Sequence, residues 1–304
     1  MQPDIQIHNL RKSFGDIKAV DGLDLTVVRG EMLGLIGPDG AGKTTTLRIL
    51  CGLLQIDEGE CFIKERDIRT EVRAIRSFVG YMPQRFSLYP DLTVAENLRF
   101  FADLFNVARK EREKRLARLL QFSKLGPFSG RRAMALSGGM KQKLALSCTL
   151  IHTPEILLLD EPTTGVDPVS RREFWDILGE LKSQGVTILI TTPYMDEAAR
   201  CDRVAFIHKG RILAVDAPEK IPALFRGQVY EVTCKQPVSI AGLLRKETAI
   251  AGVQIFGDRI HVSGSSEENI PDAVRRVLQE QNIRDFSIKK ITPGLEDVFV
   301  QLMQ

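Results

Sequence analysis

The sequence predicts an α/β fold with a parallel β-sheet, and two segments support this prediction. The apolar run Met32–Ile36 is followed by a glycine-rich segment, residues 37–44, and then by a helical pattern. A second apolar run, residues 156–159, ends in Asp160 and Glu161. Strands that are apolar throughout are typical of the middle of a parallel sheet, which is covered on both faces. Ligands bind such sheets at the carboxyl ends of the strands, where both segments place their polar residues.

Residues 37–44 read GPDGAGKT and match the phosphate-binding pattern G-x-x-x-x-G-K-[ST] between a strand and a helix. Glycines let the loop backbone approach closely, so that successive N–H groups point at phosphate oxygens, and the following helix adds its positive dipole end. Lys43 would reach the terminal phosphates, and the Thr44 hydroxyl would hold Mg²⁺. The sequence therefore predicts that a nucleoside triphosphate is bound through Gly37, Asp39, Gly40, Ala41, Gly42, Lys43, Thr44 and Thr45.

Length and composition limit the number of domains, the kinds of partner and the cellular compartment. The 304 residues allow one large domain and a small one, and a net charge of +3 is too small to favour nucleic acid or an anionic membrane surface as a partner. The five cysteines show no metal-ligand spacing, which favours a reduced, cytosolic compartment. The N-terminus lacks the pattern of a secretory signal, and no apolar stretch approaches the ~20 residues that span a bilayer. Any membrane role is therefore expected to depend on a partner.

Two residues near predicted strands, Phe14 and Gln84, could each have more than one role. Phe14 lies between the strand-like runs 5–7 and 23–27, where its ring could stack on a nucleotide base or belong to the core. Gln84 follows the strand-like run Val79–Met82, and its amide could ligate Mg²⁺, orient a water or cap the strand. Local sequence alone does not decide between these roles.

Residues 93 to about 150 have a helical pattern, because apolar side chains recur at three- and four-residue spacing. Within this stretch Ser137 is a predicted helix N-cap, and Gly138 and Gly139 leave backbone N–H groups exposed at the helix start. These three residues are a candidate second anion site, with a flexible turn as the alternative.

The two acids at the end of the second apolar run carry the predicted chemistry. Asp160 would complete the Mg²⁺ shell, directly or through water, and Glu161 would polarise the attacking water. Acids at strand ends also serve as turn formers, but their combination with an intact phosphate loop favours the functional interpretation. A further buried strand is predicted over Thr187–Thr192, and a helix is predicted to start at Met195.

From residue 4 to about 225 the chain resembles an ATP-binding-cassette (ABC) ATPase. The phosphate loop, Gln84, the signature LSGG at 136–139, the acidic strand and the turn at 165–167 occur in the order of that family. The signature is specific, because other phosphate-loop ATPases lack it, and its extension LSGGMKQ is similar to ABC-2-type exporters of the drug-resistance kind. The resemblance implies a P-loop NTPase fold in residues 1–225, with a RecA-like core, an antiparallel β subdomain and a helical signature subdomain over about 92–150.

The resemblance also implies cofactors, partners and roles. In that family two ATP-binding domains clamp two ATP molecules head to tail, and each signature contacts the γ-phosphate held by the other domain. Phe14 would stack on the base, while Gln84 and residues 85–89 would meet the coupling helix of an integral ABC-2-type permease. The chain is thus expected to be cytoplasmic and peripheral on the inner face of the cell membrane, with ATP and Mg²⁺ as cofactors and without nucleic acid as a partner.

Two positions depart from the family. The family carries a histidine just after the Thr187–Thr192 strand, where it contacts the γ-phosphate, and this chain has Pro193. Proline has neither a side-chain donor nor a backbone N–H, and loss of one preorganised donor typically costs about 10²–10³ in rate. We therefore expect a site that binds ATP but turns it over slowly, which favours a heterodimer with a partner that retains the histidine; a slow homodimer is the alternative. The smaller departure is Asp39, where the family usually has asparagine.

Residues 226–304 are predicted to form a small accessory α+β domain. Their strand-like and helical segments follow the order βαββαβ, with a hairpin turn at 257–258, which is typical of a ferredoxin-like sandwich. The sequence of this part shows no nucleophile–base pair and no metal-ligand cluster, so we expect a regulatory or dimer-stabilising role.

Together these features predict an ATP-binding and ATP-hydrolysing subunit of an ABC-2-type exporter, for multidrug or similar efflux, that drives separate membrane subunits. The expected catalytic residues are Glu161, Gln84 and Lys43, and the expected Mg²⁺ ligands are Thr44, Gln84 and Asp160. One alternative is a non-hydrolysing regulatory subunit, which the retained Glu161 opposes. Another is a non-transport ABC ATPase acting on ribosomes or DNA, which usually carries two cassettes or a long coiled coil.

Overall fold

The structure is a computed structural model that describes residues 2–85, 87–265 and 269–303. The chain divides into two compact units, one ending at Ala217 and the other beginning at Pro218, and each has its own hydrophobic core. Among the described residues, no helix combines the length and the apolar character that are needed to cross a membrane.

The boundary between the units differs in position from the one that the sequence suggested. That boundary lies after residue 225, whereas the structural division falls at Ala217. The short 3-10 helix Ile221–Leu224 belongs to the second unit because it packs against the last helix, Leu295–Leu302.

Strands and helices alternate through most of the first unit. Its strands are β1 (Pro3–Phe14), β2 (Ile17–Val28), β3 (Met32–Ile36), β4 (Glu58–Ile63), β5 (Arg66–Asp67), β6 (Val79–Met82), β7 (Ile156–Asp160), β8 (Thr187–Thr192), β9 (Arg203–His208) and β10 (Arg211–Asp216). Its α-helices are α1 (Lys43–Leu50), α2 (Val72–Ile75), α3 (Val94–Leu104), α4 (Arg109–Phe122), α5 (Gly138–Leu150), α6 (Pro168–Ser183) and α7 (Met195–Ala198).

The larger sheet of the first unit positions the candidate site. Its strand order is β10-β9-β3-β8-β7-β6, and all neighbours pair in parallel except β10, which pairs antiparallel with β9. β3, β7 and β8 are buried along their whole length, as predicted for strands in the middle of a parallel sheet. Because these three strands are parallel, their carboxyl ends lie at the same edge of the sheet. The predicted α/β fold with a central parallel sheet is confirmed.

The smaller sheet is antiparallel, with the order β2-β1-β4-β5. Its apolar side chains, such as Ile5 and Ile7, pack in one core with Leu33 and Leu158 of the larger sheet. The helices α3, α4 and α5 lie between β6 and β7 along the chain. The N-cap residue of α3, Thr93, forms a capping box with the third residue of that helix, which fixes the point at which the helical segment begins.

The second unit is a single antiparallel sheet with helices. Its strands are β11 (Gln228–Cys234), β12 (Gly252–Phe256), β13 (Arg259–Gly264) and β14 (Phe286–Ile291), and its helices are α8 (Pro237–Leu244), α9 (Ile270–Glu280) and α10 (Leu295–Leu302). The sheet order is β12-β13-β11-β14. The chain order β11-α8-β12-β13-α9-β14 matches the predicted βαββαβ pattern, and buried residues of α8 and α9 pack with the sheet in one core.

Candidate functional site

The glycine-rich loop connects β3 to α1, and its glycines are required by close approaches of the backbone. Gly42 has a φ of 106°, and a Cβ atom at this position would lie 2.3 Å from the carbonyl oxygen of Ala19. A Cβ atom at Gly37 would lie 2.2 Å from the carbonyl oxygen of Ile207. Backbone carbonyls from β2 and β9 therefore hold the loop on both sides, and a side chain at either position would displace it.

Lys43 is buried at the start of α1, and its ammonium group contacts three oxygens. Nζ donates to the carbonyl oxygens of Gly37 at 2.7 Å and of Pro38 at 3.1 Å. It also lies 3.1 Å from Oε1 of Glu161, and the two side chains are only 4% and 5% exposed. Two of its three donors are thus used by backbone carbonyls, while the Glu161 carboxylate balances its charge. A phosphate oxygen that binds Lys43 would compete with these oxygens for the ammonium group.

Asp160 at the end of β7 is joined to the loop and to the neighbouring strand. Its Oδ1 accepts hydrogen bonds from the hydroxyl of Thr44 at 3.0 Å and from the hydroxyl of Thr191 at 2.9 Å. Its Oδ2 is buried without a hydrogen-bond partner. Burial raises the pKa of the Asp160 carboxyl above its ordinary value, while the two hydroxyls act in the opposite direction. A hydroxyl next to a carboxylate with a free buried oxygen is a donor set that fits a hard divalent cation.

Glu161 follows β7 in an unusual backbone conformation, with a φ of 46°. Its backbone N–H donates to the carbonyl oxygen of Thr191 at 3.1 Å and to the Thr191 hydroxyl at 2.9 Å, which fixes the turn. Its Oε2 accepts from the side-chain amide of Gln84 at 2.8 Å and from the hydroxyl of Thr164 at 3.4 Å. The structure therefore brings Lys43, Gln84 and Glu161 together, and joins Thr44 to Asp160 beside them.

The other predicted residues of the loop differ in exposure. Asp39 and Gly40 are exposed, Ala41 is buried, and Thr45 is half-buried on α1. The Asp39 side chain is thus accessible to solvent. Phe14 lies at the end of β1 with 48% of its surface exposed, and Nζ of Lys12 lies 5.6 Å from its ring centroid. Phe14 is therefore not part of the core.

The signature residues lie at the start of α5. The Ser137 hydroxyl caps the helix by accepting from the backbone N–H of Met140 at 3.4 Å. A Cβ atom at Gly139 would lie 2.4 Å from Cβ of Ser170, so the signature packs directly against the start of α6. Among the described residues, no hydrogen bond or ion pair joins Phe14 or Ser137 to the cluster around Lys43 and Glu161.

Pro193 directly follows β8 and is half-buried. The backbone N–H of Tyr194 donates to the Thr192 hydroxyl at 3.1 Å, and the guanidinium carbon of Arg171 lies 4.4 Å from the Tyr194 ring centroid. Tyr194 is thus engaged with α6. Phe86, which belongs to the predicted permease-contacting segment 85–89, lies outside the described residues.

Sequence reasoning missed two residues that contact the cluster. Thr191 donates to Asp160 and accepts from the backbone of Glu161, and Thr164 contacts Glu161. Polar residues at the end of an otherwise apolar strand were the available signal for Thr191, because β8 ends beside β7 at the edge where ligands bind.

A glycine loop held by backbone carbonyls, a buried lysine and an acidic strand end define a P-loop NTPase. The family described as ABC transporter matches residues 20–164. The chain is 41% identical over 98% of its length to the probable multidrug ABC transporter ATP-binding protein YbhF of Escherichia coli (strain K12), and this match spans 52% of that protein. It is 41% identical over 98% of its length to the Nod factor export ATP-binding protein I of Burkholderia lata, of which it covers 96%.

A solved structure agrees with these sequence matches. A dimeric ATP-binding cassette in a post-hydrolysis state, bound to ADP and Pi, is 27% identical, with a TM-score of 0.65 over 70% of this chain and 98% of that one. The chain belongs to the ATP-binding proteins of the ABC transporter family, and the family resemblance that the sequence motifs suggested is confirmed. It spans about half the length of the multidrug relative from Escherichia coli.

Proposed function

We propose that this chain binds and hydrolyses ATP as the energy-supplying subunit of an ABC-2-type exporter. The observation that carries the proposal is the convergence of Lys43, Thr44, Gln84, Asp160 and Glu161 at the carboxyl edge of the parallel sheet. Its relatives are named for multidrug transport and Nod factor export, which supports export of small molecules as the transport class.

Nucleotide binding is assigned to the phosphate loop and its surroundings. The backbone N–H groups of the loop and the dipole of α1 would bind the phosphates, and Lys43 would exchange its contact with Glu161 for a phosphate oxygen. Thr44 and Asp160 would hold Mg²⁺, with Gln84 as a further ligand, and the bound ion would neutralise charge on the β- and γ-phosphates. Phe14, exposed at the end of β1, would stack on the base.

Hydrolysis is assigned to Glu161 with help from Gln84. A water oxygen attacks the γ-phosphorus, the bond to the β–γ bridging oxygen breaks, ADP leaves, and the water proton passes to the Glu161 carboxylate. The Gln84 amide, 2.8 Å from Oε2 of Glu161, and the hydrogen bonds of the Glu161 backbone to Thr191 hold the carboxylate in place. Lys43 would stabilise the charge that develops on the transferred phosphoryl group.

Turnover at this chain's own site is proposed to be slow because Pro193 offers no donor to the γ-phosphate. The capped signature helix, with Ser137, Gly138 and Gly139 at its start, would contact ATP held by a second ABC domain. A heterodimer with a partner that carries the missing histidine is favoured, since the intact signature would then complete an active site on that partner. A homodimer with two slow sites is the alternative.

The membrane partner is proposed to be an integral ABC-2-type permease at the inner face of the cell membrane. An aromatic patch, made of Tyr89, Phe100, Phe101 and Phe105, supports this assignment. Neighbouring rings in the patch have centroid distances of 4.5, 5.6 and 6.5 Å, and three of its four residues are exposed. The patch begins five positions after Gln84, whose side chain contacts Glu161, so a permease segment bound there would lie close in sequence to the candidate site.

The proposal is tested by purifying the full chain and measuring Mg-ATP binding by equilibrium titration and hydrolysis by single-turnover kinetics. Micromolar binding, with slow hydrolysis that is lost in Glu161→Gln, is the expected result. Failure to retain Mg-ATP at all would contradict the proposal, and binding without any hydrolysis would favour the non-hydrolysing regulatory subunit. Co-purification of the chain from detergent-solubilised membranes with an integral membrane protein, and loss of that protein in Phe100→Asp, would support the transport assignment.

A further inference from the structure

Glu197 is a buried carboxylate that the proposed mechanism does not use. It lies in α7, is 2% exposed, and its two oxygens accept hydrogen bonds from two other segments of the chain. The Thr163 hydroxyl donates to Oε1 at 2.6 Å, and the Thr192 hydroxyl donates to Oε2 at 2.5 Å. Burial of a charged group is unfavourable unless the group is paired and hydrogen-bonded. The carboxylate therefore depends on these hydroxyls and on a nearby cation.

Arg171 of α6 supplies that cation. Its Nε lies 3.5 Å from Oε1 of Glu197, and its guanidinium group lies over the ring of Tyr194. The Thr192 hydroxyl, which donates to Glu197, also accepts from the backbone N–H of Tyr194. The contacts form a closed ring that includes both chain neighbours of Pro193.

The two hydroxyls come from segments at the ends of two neighbouring strands, β7 and β8. Thr163 lies two residues after Glu161, in the loop that leads to Asp167, the N-cap of α6. Thr192 ends β8 directly before Pro193. One carboxylate therefore joins the loop that follows Glu161 to the strand end that, under the proposed function, faces the γ-phosphate.

We propose that Glu197 is a positioning residue that holds the loop after Glu161 and the strand end at Pro193 in one fixed arrangement. It acts through Thr163 and Thr192 and does not touch the reacting atoms. Thr191 joins β8 to Asp160 and Glu161, and Pro193 adds no donor. Glu197 therefore extends this connection to Thr192 and to the loop at Thr163. The kinetic consequence of this link rests on the proposed function, whereas the link itself is a property of the chain alone.

The link is tested by hydrogen–deuterium exchange of the full chain in the variants Thr163→Val and Thr192→Val. Each variant replaces a hydroxyl by a methyl group of similar shape and removes one hydrogen bond to Glu197. We expect each variant to speed exchange in both segments, residues 161–167 and 191–198. The matched variants Thr163→Ser and Thr192→Ser keep the hydroxyl and should restore the exchange of the unaltered chain. Faster exchange confined to the altered segment would overturn the proposal, whether or not the chain hydrolyses ATP.

The catalytic consequence is tested by single-turnover ATP hydrolysis, measured beside nucleotide affinity. A displacement on the order of 1 Å can cost about 10²-fold in rate, so Glu197→Leu and each valine variant should slow hydrolysis about 10- to 100-fold, with the Kd for ATP within about threefold. The double valine variant should be no slower than the slower single variant, because both changes break the same link. Glu197→Gln, whose amide can bond both hydroxyls, should keep most of the rate.

Two results would overturn this part of the proposal. One is a loss of ATP affinity as large as the loss of rate, and the other is a double valine variant whose rate loss is the product of the single losses. An inactive unaltered chain would contradict the proposed function instead, and the exchange experiment would still decide whether Glu197 joins the two segments.

Discussion

Two parts of the candidate site, the phosphate loop with the acidic end of β7 and the end of β8, differ in how many polar contacts they provide. On the side of the phosphate loop, Lys43, Thr44, Asp160 and Glu161 are joined to the loop and to each other by short contacts in a buried setting. At the end of β8, which lies between β3 and β7 in the sheet, Pro193 provides no hydrogen-bond donor. We therefore expect ATP binding and ATP turnover to depend on different parts of the molecule, so that each can be lost or restored separately.

The largest effect is expected for Glu161→Gln, which should reduce ATP turnover without weakening nucleotide binding. Glu161→Gln should slow single-turnover hydrolysis by about 10²–10⁴-fold, because it removes the proposed proton acceptor while preserving the shape of the side chain. The affinity for ADP should not fall, since Lys43 loses its buried ion-pair partner and is freed for phosphate. Glu180→Gln, at an exposed position of α6, is the matched control. A Glu161→Gln variant that hydrolyses ATP at the normal rate would show that the base lies elsewhere.

Pro193→His adds an imidazole donor at the end of β8, where the proposed site lacks one. It should raise turnover by as much as about 10²–10³-fold, because one preorganised donor is typically worth that much in rate. The Kd for ATP should change little, since the loop and Lys43 are unaltered. Pro193→Ala is the control, because it restores the backbone N–H without an imidazole and should not give the same gain. Rapid hydrolysis by the unaltered chain, unchanged by the histidine, would mean that another group already supplies the donor.

Lys43→Ala tests the contribution of the phosphate loop to ATP binding. Hydrogen bonds to charged groups contribute about 1.5–3 kcal/mol, so ATP affinity in an equilibrium titration should fall about 10- to 100-fold. The change also leaves Glu161 buried without its counterion. Lys246→Ala, at an exposed position of the second unit, should leave affinity unchanged. An unaltered Kd for ATP in Lys43→Ala would contradict this prediction, since binding would then not depend on the phosphate loop.

Phe14→Ala should have the smallest effect. Stacking of an aromatic side chain on a base contributes about 1–3 kcal/mol, and the half-exposed position of Phe14 favours the lower end, or about a fivefold loss of ATP affinity. Affinity for inorganic tripolyphosphate, which has no base, should not change. Ile17→Ala, an exposed apolar neighbour on β2, is the matched control. Equal losses for ATP and tripolyphosphate would contradict the stacking role.

Local patterns made much of the first unit predictable from sequence. The phosphate loop and the acidic strand end are contiguous motifs, and their flanking strands β3 and β7 are apolar at nearly every position, so burial in a parallel sheet could be inferred directly. The full extent of strands β1 and β2 was harder to predict. Short apolar runs at 5–7 and 23–27 indicated them, but the structure extends them to Pro3–Phe14 and Ile17–Val28, because their mutual antiparallel pairing includes partly exposed polar residues.

The contacts that complete the site could not be predicted, because they join residues distant in the sequence. Thr191 reaches Asp160 only because β8 lies next to β7 in the sheet. Glu197 meets Thr163 only after α7 folds back towards the loop that follows β7. The threonines at the end of β8 indicate the edge where ligands bind but not which residues they contact, and a glutamate in a four-residue helix has no distinctive pattern. The sheet order was needed to pair these residues with their partners.

In the structure the ammonium group of Lys43 is the counterion of Glu161. We expect a bound triphosphate to attract that ammonium group and to weaken its contact with Glu161, which would free the carboxylate to accept the proton of the attacking water. The proposed base would then be neutralised by Lys43 while the site is empty and become available when the nucleotide is bound.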